Sequence, residues 1–271
     1  MMIFYKNVLA IQRILLWPIF QLVYIALFII YFQLVPSIFQ LLLGTLSIII
    51  IEGIGLSICL HRYFAHTAFK TSRIFQFVLG FLGTITNHGP ILWWSSIHNR
   101  HHAYCDKPED PHSYTQNDFF YAYVGWMLYE GDYKLKFLPK KFKKTELIFL
   151  NRFPFVPLLI VSSLLINVTS VSTFVYVYWI PSVITLLFTL WFNVVYHPKL
   201  DKKECKAVDD PGVIPKVGVI LGEGFHADHH KYVGRAKRPG KDLPYFLFLK
   251  PLNYLGIIWD LKQMYPANKS H

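Results

Sequence analysis

The chain has 271 residues, of which 54% are hydrophobic, 17% aromatic and only 16% charged. Soluble domains carry nearer a quarter charged residues, so the composition points to a membrane protein. The net charge of +11 argues for nucleic acid only where basic residues gather in one patch; here they follow the layout of apolar segments instead.

Four apolar stretches, 14–35, 38–60, 155–168 and 173–196, approach or reach the roughly 20 residues needed to span hydrocarbon, the third being short. The first is too long, and too closely followed by the second, for a cleavable signal peptide. The links Pro36–Ser37 and Thr169–Ser172 hold no Lys or Arg; all 27 basic residues lie in the N-terminal segment, in Arg62–Arg152 or after His197. That distribution places both termini and the large loop in the cytoplasm, with basic side chains against anionic headgroups. The expected fold is an all-α integral membrane protein, one domain over 1–271. Four transmembrane helices form two hairpins under a cytoplasmic helical cap, 61–153 and 197–271. Within the cap, Phe75–Ile85 is too short to span and is expected to lie in the interface or re-enter. Leu243–Leu261 reads as another interfacial helix, and the six lysines of Lys134–Lys144 as a headgroup-facing surface. The odd cysteine count (Cys59, Cys105, Cys205) and cytoplasmic placement argue against a disulfide framework. Cys59 is expected as a small buried apolar side chain.

The informative residues are the histidines. Of the 12, eight fall into three boxes: His61-Arg-Tyr-Phe-Ala-His66, His98-Asn-Arg-His101-His102 and His226-Ala-Asp-His229-His230. A ninth, His197, follows Asn193 by four residues at the end of the fourth apolar stretch. Imidazole binds first-row metals, and nine rings exceed what one four-coordinate ion uses, so two metals at a membrane face are expected. In a helix, positions i, i+3 and i+4 share a face. His98, His101 and His102 therefore point together, as do His226, His229 and His230, and Asn193 shares a face with His197. His61 and His66 are about 140° apart on an ideal helix, so one helix end can offer a ligand to each metal. His88, His112 and His271 lie outside the boxes and are not expected as ligands; His112, after Asp110-Pro111, is expected to hydrogen-bond in its loop. A nitrogen-rich, carboxylate-poor site beside an apolar interior favours iron over zinc. Imidazoles need orienting partners, for which Glu223 and Asp228 rank first, followed by Asp106 and Asp110; the last two can instead cap the turn at Pro108 and Pro111. Glu52, nine residues before His61 and about 13 Å down the second span, is an ionisable residue at a depth that marks function.

At these residues the chain resembles the membrane fatty acid desaturases, particularly the acyl-CoA Δ9-type branch. The matching stretches are His61–Lys70 (HRYFAHTAFK), Gly89–His112 (GPILWWSSIHNRHHAYCDKPEDPH), Asn193–His197 (NVVYH) and Leu221–His230 (LGEGFHADHH). The resemblance implies two iron ions (Fe2+) held by His61, His66, His98, His101, His102, His197, His226, His229 and His230, with Asn193 reaching one iron through water. It implies an acyl tunnel bent at Trp94 and Thr189, and a depth tuned around Ile49 and Gly53, which flank Glu52. The implied reaction removes two hydrogens from neighbouring methylenes with O2, giving a cis alkene and water. Two electrons per turnover must come from a separate ferredoxin, small haem cytochrome or reductase, because the chain shows no haem or flavin motif. Asn99, Pro198 and the Lys231–Arg235 segment depart from the family pattern and leave the acyl carrier open among CoA, carrier protein and lipid. Hydroxylation or triple-bond formation is the enzymatic alternative. A metal transporter or sensor is the non-enzymatic one, and apart from Glu52 the spans hold no ionisable groups to line its path.

Overall fold

Pro18 opens the first helix, α1 (Pro18–Phe32), where its missing N–H costs nothing, and Gln33 closes it with a left-handed backbone. The structure is a computed structural model that describes residues 14–129, 135–200, 205–209 and 221–263. Ser37 and Gln40 form a reciprocal capping box that starts α2 (Ile38–Ala65). This helix is α-wound to Ile50 and π-wound, with i→i+5 hydrogen bonds, from Ile51 to Ala65. After β1 (Lys70–Thr71), Ser72 caps α3 (Arg73–Thr84). Pro90 precedes α4 (Ile91–Tyr104) and offers no side-chain cap. Asn151 supplies it instead, accepting from the Leu92 and Trp93 N–H groups at 2.9 and 3.0 Å.

Tyr121–Gly125 and Trp126–Tyr129 make α5. Next come α6 (Thr145–Arg152) and α7 (Phe155–Val168), bent by 72° at their junction, and α8 (Val171–Val195). The short α9 (His226–Lys231) is started by Asp209, whose Oδ1 accepts from the Ala227 and Asp228 N–H groups. Tyr245–Leu249 and Lys250–Tyr254 form α10, and β2 (Ile258–Trp259) pairs antiparallel with β1, Lys70 opposite Trp259.

The described fold is thus mostly helical, with one two-stranded sheet. Two helices, α2 with 28 residues and α8 with 25, are long and apolar enough to cross a membrane; α6 with α7 makes a third if the bent pair is one span. The stretch expected to span at 14–35 yields a 15-residue α1, about 22 Å long, because the helix is interrupted at Trp17 and ends at Gln33. The four-span layout is therefore not met by helix length among the described residues. Phe75–Ile85 does form a helix too short to span, with 12 residues. Leu243–Leu261 is not one helix: α10 gives way at Gly256, with φ +70°, to β2. The N-terminal basic segment, Lys134 and His271 lie outside the described residues.

The outer faces of these helices are apolar, with Ile30 72%, Ile38 75% and Val168 71% exposed. A continuous apolar surface of this kind marks contact with lipid or protein. Inside, α2 and α8 approach so closely at Gly44 that a Cβ there would collide with the Tyr176 carbonyl. Phe64, Phe142, Leu147 and Ile91 fill the core between α2, α3, α4 and α6. Arg62, fully buried, fastens α2 to the segment after α9. Its guanidinium donates two hydrogen bonds of 2.9 Å to Asp242 and one to the Ala236 carbonyl. That latch fixes the end of α2, where the first histidine box sits.

Candidate metal centre

The π-winding decides the geometry of the first box. His66 N–H bonds the His61 carbonyl at 3.0 Å, so five residues complete about one turn and both rings face the same way. Their centroids are 4.8 Å apart. This corrects the expectation, based on an ideal α-helix, that the two rings diverge toward different metals. The second and third boxes each divide instead. The i, i+4 pair of each box goes to one group, and the i+3 ring to the other.

The result is two clusters of ring nitrogens, each with its ligand atoms within 4.8 Å of one another: His61, His66, His98, His102 and His229; and His101, His197, His226 and His230. In the first, Nε2–Nε2 distances are 2.9 Å for His61–His229 and 3.0 Å for His66–His98, His98–His102 and His102–His229. In the second they are 3.0 Å for His197–His226, 3.1 Å for His226–His230 and 3.3 Å for His101–His230. All nine rings, the eight boxed ones and His197, turn Nε2 inward.

Carboxylates hold the outer edges. His61 Nδ1 lies 3.1 Å from Glu223, His101 Nδ1 2.9 Å from Asp110 and His197 Nδ1 3.1 Å from Asp106. Such a partner places the ring hydrogen on Nδ1 and leaves the Nε2 lone pair facing inward. Lone pairs converging at about 3 Å repel unless a cation lies among them, so the donor set fits a pair of metal ions. Burial first, and then the neighbouring rings, keeps the pKa of His98, His102, His226 and His230 well below the usual 6.5. Neutral imidazole is the metal-binding form. His101 goes the other way: burial opposes its charge, but Asp110 outweighs burial and raises it. Glu223 is held down to about 2, because His61, Arg238 and Arg62 together outweigh its burial.

Among the expected orienting residues, Glu223, Asp106 and Asp110 touch ring nitrogens, whereas Asp228 accepts from Arg235 at 2.8 Å and touches none. Asp110 also accepts the Asp106 and His112 N–H groups of its own loop, so both sequence readings apply to it, whereas Asp106 accepts the N–H of the distant Lys206. His112 bonds Asp110 through its backbone, and its ring stacks on His101 at 4.5 Å.

Two cysteines also meet here. Cys105 and Cys205 are joined by a disulfide, S–S 2.06 Å, across 100 residues, contrary to the expectation of no disulfide. Spacing along the chain carries no information about a pair so far apart; folding brings their Cα atoms to 5.2 Å. The two sulfurs lie 3.7 Å from His197 Nδ1 and 3.4 Å from His230 Nδ1. Cys59 is free and buried, as expected.

A cavity of about 80 Å³ opens against the rings of His61, His98 and His226 and is lined further by Trp94, Asn193, Thr189 and Glu52. Trp94 stacks on His98 with centroids 4.9 Å apart. Ile49, 54% exposed, faces outward, and Gly53 faces Pro244 and Leu221, so neither is placed on this cavity. Sequence reasoning missed Ser57, whose hydroxyl donates to Glu223 at 2.7 Å, and His88, which lines the cavity. It also missed Asp209, whose capping role acts across 17 or more residues and leaves no local pattern.

The fatty acid desaturase family model matches residues 34–238. A hex-5-enoyl-[acyl-carrier protein] acetylenase of Moorena producens is 32% identical over 241 residues, 77% of this chain and 73% of that protein. An sn-1 stearoyl-lipid 9-desaturase of Synechocystis is 25% identical, over 79% of this chain and 69% of that protein. A probable acyl-CoA desaturase of Schizosaccharomyces pombe is 32% identical over 105 residues, covering 39% of this chain and 20% of that protein.

Proposed function

The chain belongs to the fatty acid desaturase family, and from that premise we propose that it is an O2-dependent fatty acyl desaturase using two iron ions. One observation carries the reading: nine Nε2 atoms turn inward in one group of five and one of four. His61, His66, His98, His102 and His229 would hold one ion, and His101, His197, His226 and His230 the other. Asn193, on the cavity wall, takes no side-chain hydrogen bond among the described residues and is free to hold a water. When bound, the irons would activate O2, the oxidant that takes two hydrogens from adjacent methylenes and, with two electrons and two protons from outside, leaves as two waters.

The protein's own part is positioning and exclusion of water. Glu223, Asp110 and Asp106 keep three rings in the binding tautomer. Trp94, stacked on His98, sets one wall against which an acyl chain can lie. The exposed apolar faces of α1, α2 and α7 fit lipid, and the distribution of Lys and Arg along the sequence supports a cytoplasmic metal face and cytoplasmic termini. Electrons come from a separate ferredoxin, haem cytochrome or reductase. Triple-bond formation is a second reading, favoured by the acetylenase among the relatives.

The test is metal analysis after anaerobic purification, together with profiling of fatty acids by double-bond position in cells expressing the wild type or His229→Ala. Two irons per chain and a new unsaturated product lost in the variant are expected. Fewer than two irons, or a His229→Ala protein that still desaturates, would overturn the reading.

A further inference from the structure

The cavity beside the imidazoles is lined largely by apolar side chains, Leu186 and Leu190 among them, but Glu52, Thr189 and His88 set polar groups in its wall where a long acyl chain needs apolar ones. Its volume is about 80 Å³. Thr189 lies one turn before Asn193 on α8, and Glu52 lies nine residues before His61 on α2. Both are therefore displaced from the rings in the same sense along their helices, and both line this cavity together with His88.

The three side chains bond one another. His88 Nδ1 lies 3.0 Å from the Thr86 carbonyl and its Nε2 3.0 Å from Thr189 Oγ1, while the Thr189 hydroxyl also donates to the Thr185 carbonyl at 2.9 Å. Thr189 Oγ1 lies 3.5 Å from Glu52 Oε1. His88 and Glu52 are 1% and 5% exposed, so these contacts stand in place of water. An alkyl segment driven past them would break the bonds and replace none, leaving buried polar groups unpaired.

We propose that Glu52, Thr189 and His88 form the floor of the acyl site, so that the enzyme selects short acyl chains and oxidises carbons at or near the methyl end. The inference rests on the desaturase reading above. The reacting carbons must lie beside the two imidazole groups. The floor stands about one helical turn, roughly 5.4 Å, behind Asn193, so only a few carbons fit beyond the reacting pair. A methylene that a pocket cannot hold lowers kcat/KM by roughly 10–200-fold, so a long saturated tail is rejected strongly.

The experiment uses the full chain, iron-loaded in lipid nanodiscs and supplied with O2 and a reduced ferredoxin, with hexanoyl, octanoyl, palmitoyl and stearoyl N-acetylcysteamine thioesters. Product position is read by mass spectrometry, and binding separately by ligand-induced shift in Tm. The wild type should oxidise the short chains near the methyl end, at least about 10-fold better than the long ones, and be stabilised more by hexanoyl than by palmitoyl thioester. Glu52→Ala and His88→Ala should each move the preference toward longer chains, whereas Glu52→Gln, which keeps the floor's shape, should retain the short-chain preference. Mid-chain desaturation of stearoyl thioester by the wild type would overturn the proposal. So would an unchanged length preference in both alanine variants. If neither a thioester nor the acyl chains of the nanodisc lipid are oxidised while iron is bound and the ferredoxin is reduced, the desaturase reading fails. The Tm shifts still decide the floor: a palmitoyl shift equal to or above the hexanoyl shift overturns it.

Discussion

Glu223 joins two histidine boxes that are 160 residues apart in the chain: its Oε2 lies 3.1 Å from His61 Nδ1, and it precedes His226 by three residues. Ser57, one turn before His61, donates to the other oxygen at 2.7 Å. Asp110 on His101 and Asp106 on His197 repeat the arrangement in the four-ring group. The carboxylates thus set the tautomer of three of the nine inward-facing rings.

Glu223→Gln, Asp110→Asn and Asp106→Asn should therefore each weaken metal binding or activity by about 10–100-fold while leaving the fold in place. Metal titration followed by elemental analysis measures the first effect, and circular dichroism checks the fold. Asp228→Asn, which removes an acceptor for Arg235 and touches no ring, should change metal affinity far less. Equal losses in all four variants would remove the distinction drawn between these acids.

Removing one ring from each group should have unequal consequences. His102→Ala leaves four rings in its group, whereas His226→Ala leaves three. The first variant should retain more metal than the second, with activity lost in both because the reaction needs the pair. Iron per chain and product yield, measured on the same preparations, check this.

The sequence singles out the nine histidines that the fold gathers but not their division into two groups. Periodicity put each three-histidine box on one face, and the structure keeps it there, yet the i+3 ring of each box joins the opposite group. That division depends on how α4 and α9 meet, which no single-helix pattern encodes. His61 and His66 were misplaced because i→i+5 winding leaves no signature in residue type. Asp106 and Asp228 were ranked in the wrong order for a similar reason: both adjoin a box, and only folding decides whether a carboxylate meets a ring or an arginine. In the fold, hydropathy found the apolar stretches but not the break at Trp17, which shortens α1.

Acid should destabilise the metal-free protein from near neutrality. Burial comes first among the causes that hold His98, His102, His226, His229 and His230 well below 6.5. Their unfolded forms take up protons first, so stability is full above about 6.5 and falls as pH drops toward the lower folded values. Each ring contributes up to about 1.4 kcal/mol per pH unit. His101, shifted upward by Asp110 against its burial, has the opposite sign but is one ring against five. Denaturation midpoints of chelator-stripped protein between about pH 5 and 8 should fall steadily on the acid side; a flat profile would contradict the assigned burial.

The disulfide lies behind two rings of the same group, His197 and His230. Cys105→Ser combined with Cys205→Ser should lower stability by about 2–5 kcal/mol and deplete the four-ring group first, leaving nearer one metal per chain than two. Peptide mapping under non-reducing conditions tests the bond itself, and elemental analysis of the double variant tests the consequence.

The latch at the end of α2 is the most sensitive structural point away from the rings. Arg62 and Asp242 are both fully buried and bonded at 2.9 Å through two pairs of atoms. Gly222 packs on them with φ +75°, a backbone that disfavours any Cβ, and a Cβ there would run into Arg62 Nη2 and Asp242 Oδ1. Arg62→Met strands a buried carboxylate and should cost about 3–5 kcal/mol. Gly222→Ala should also destabilise, through both the backbone strain and the collision. Because the latch aims His61 and Glu223, both variants should lose metal from the five-ring group even where folded protein is recovered. Chemical denaturation with parallel metal analysis separates the two effects, and a Gly222→Ala protein with wild-type stability and metal content would show that the latch has slack.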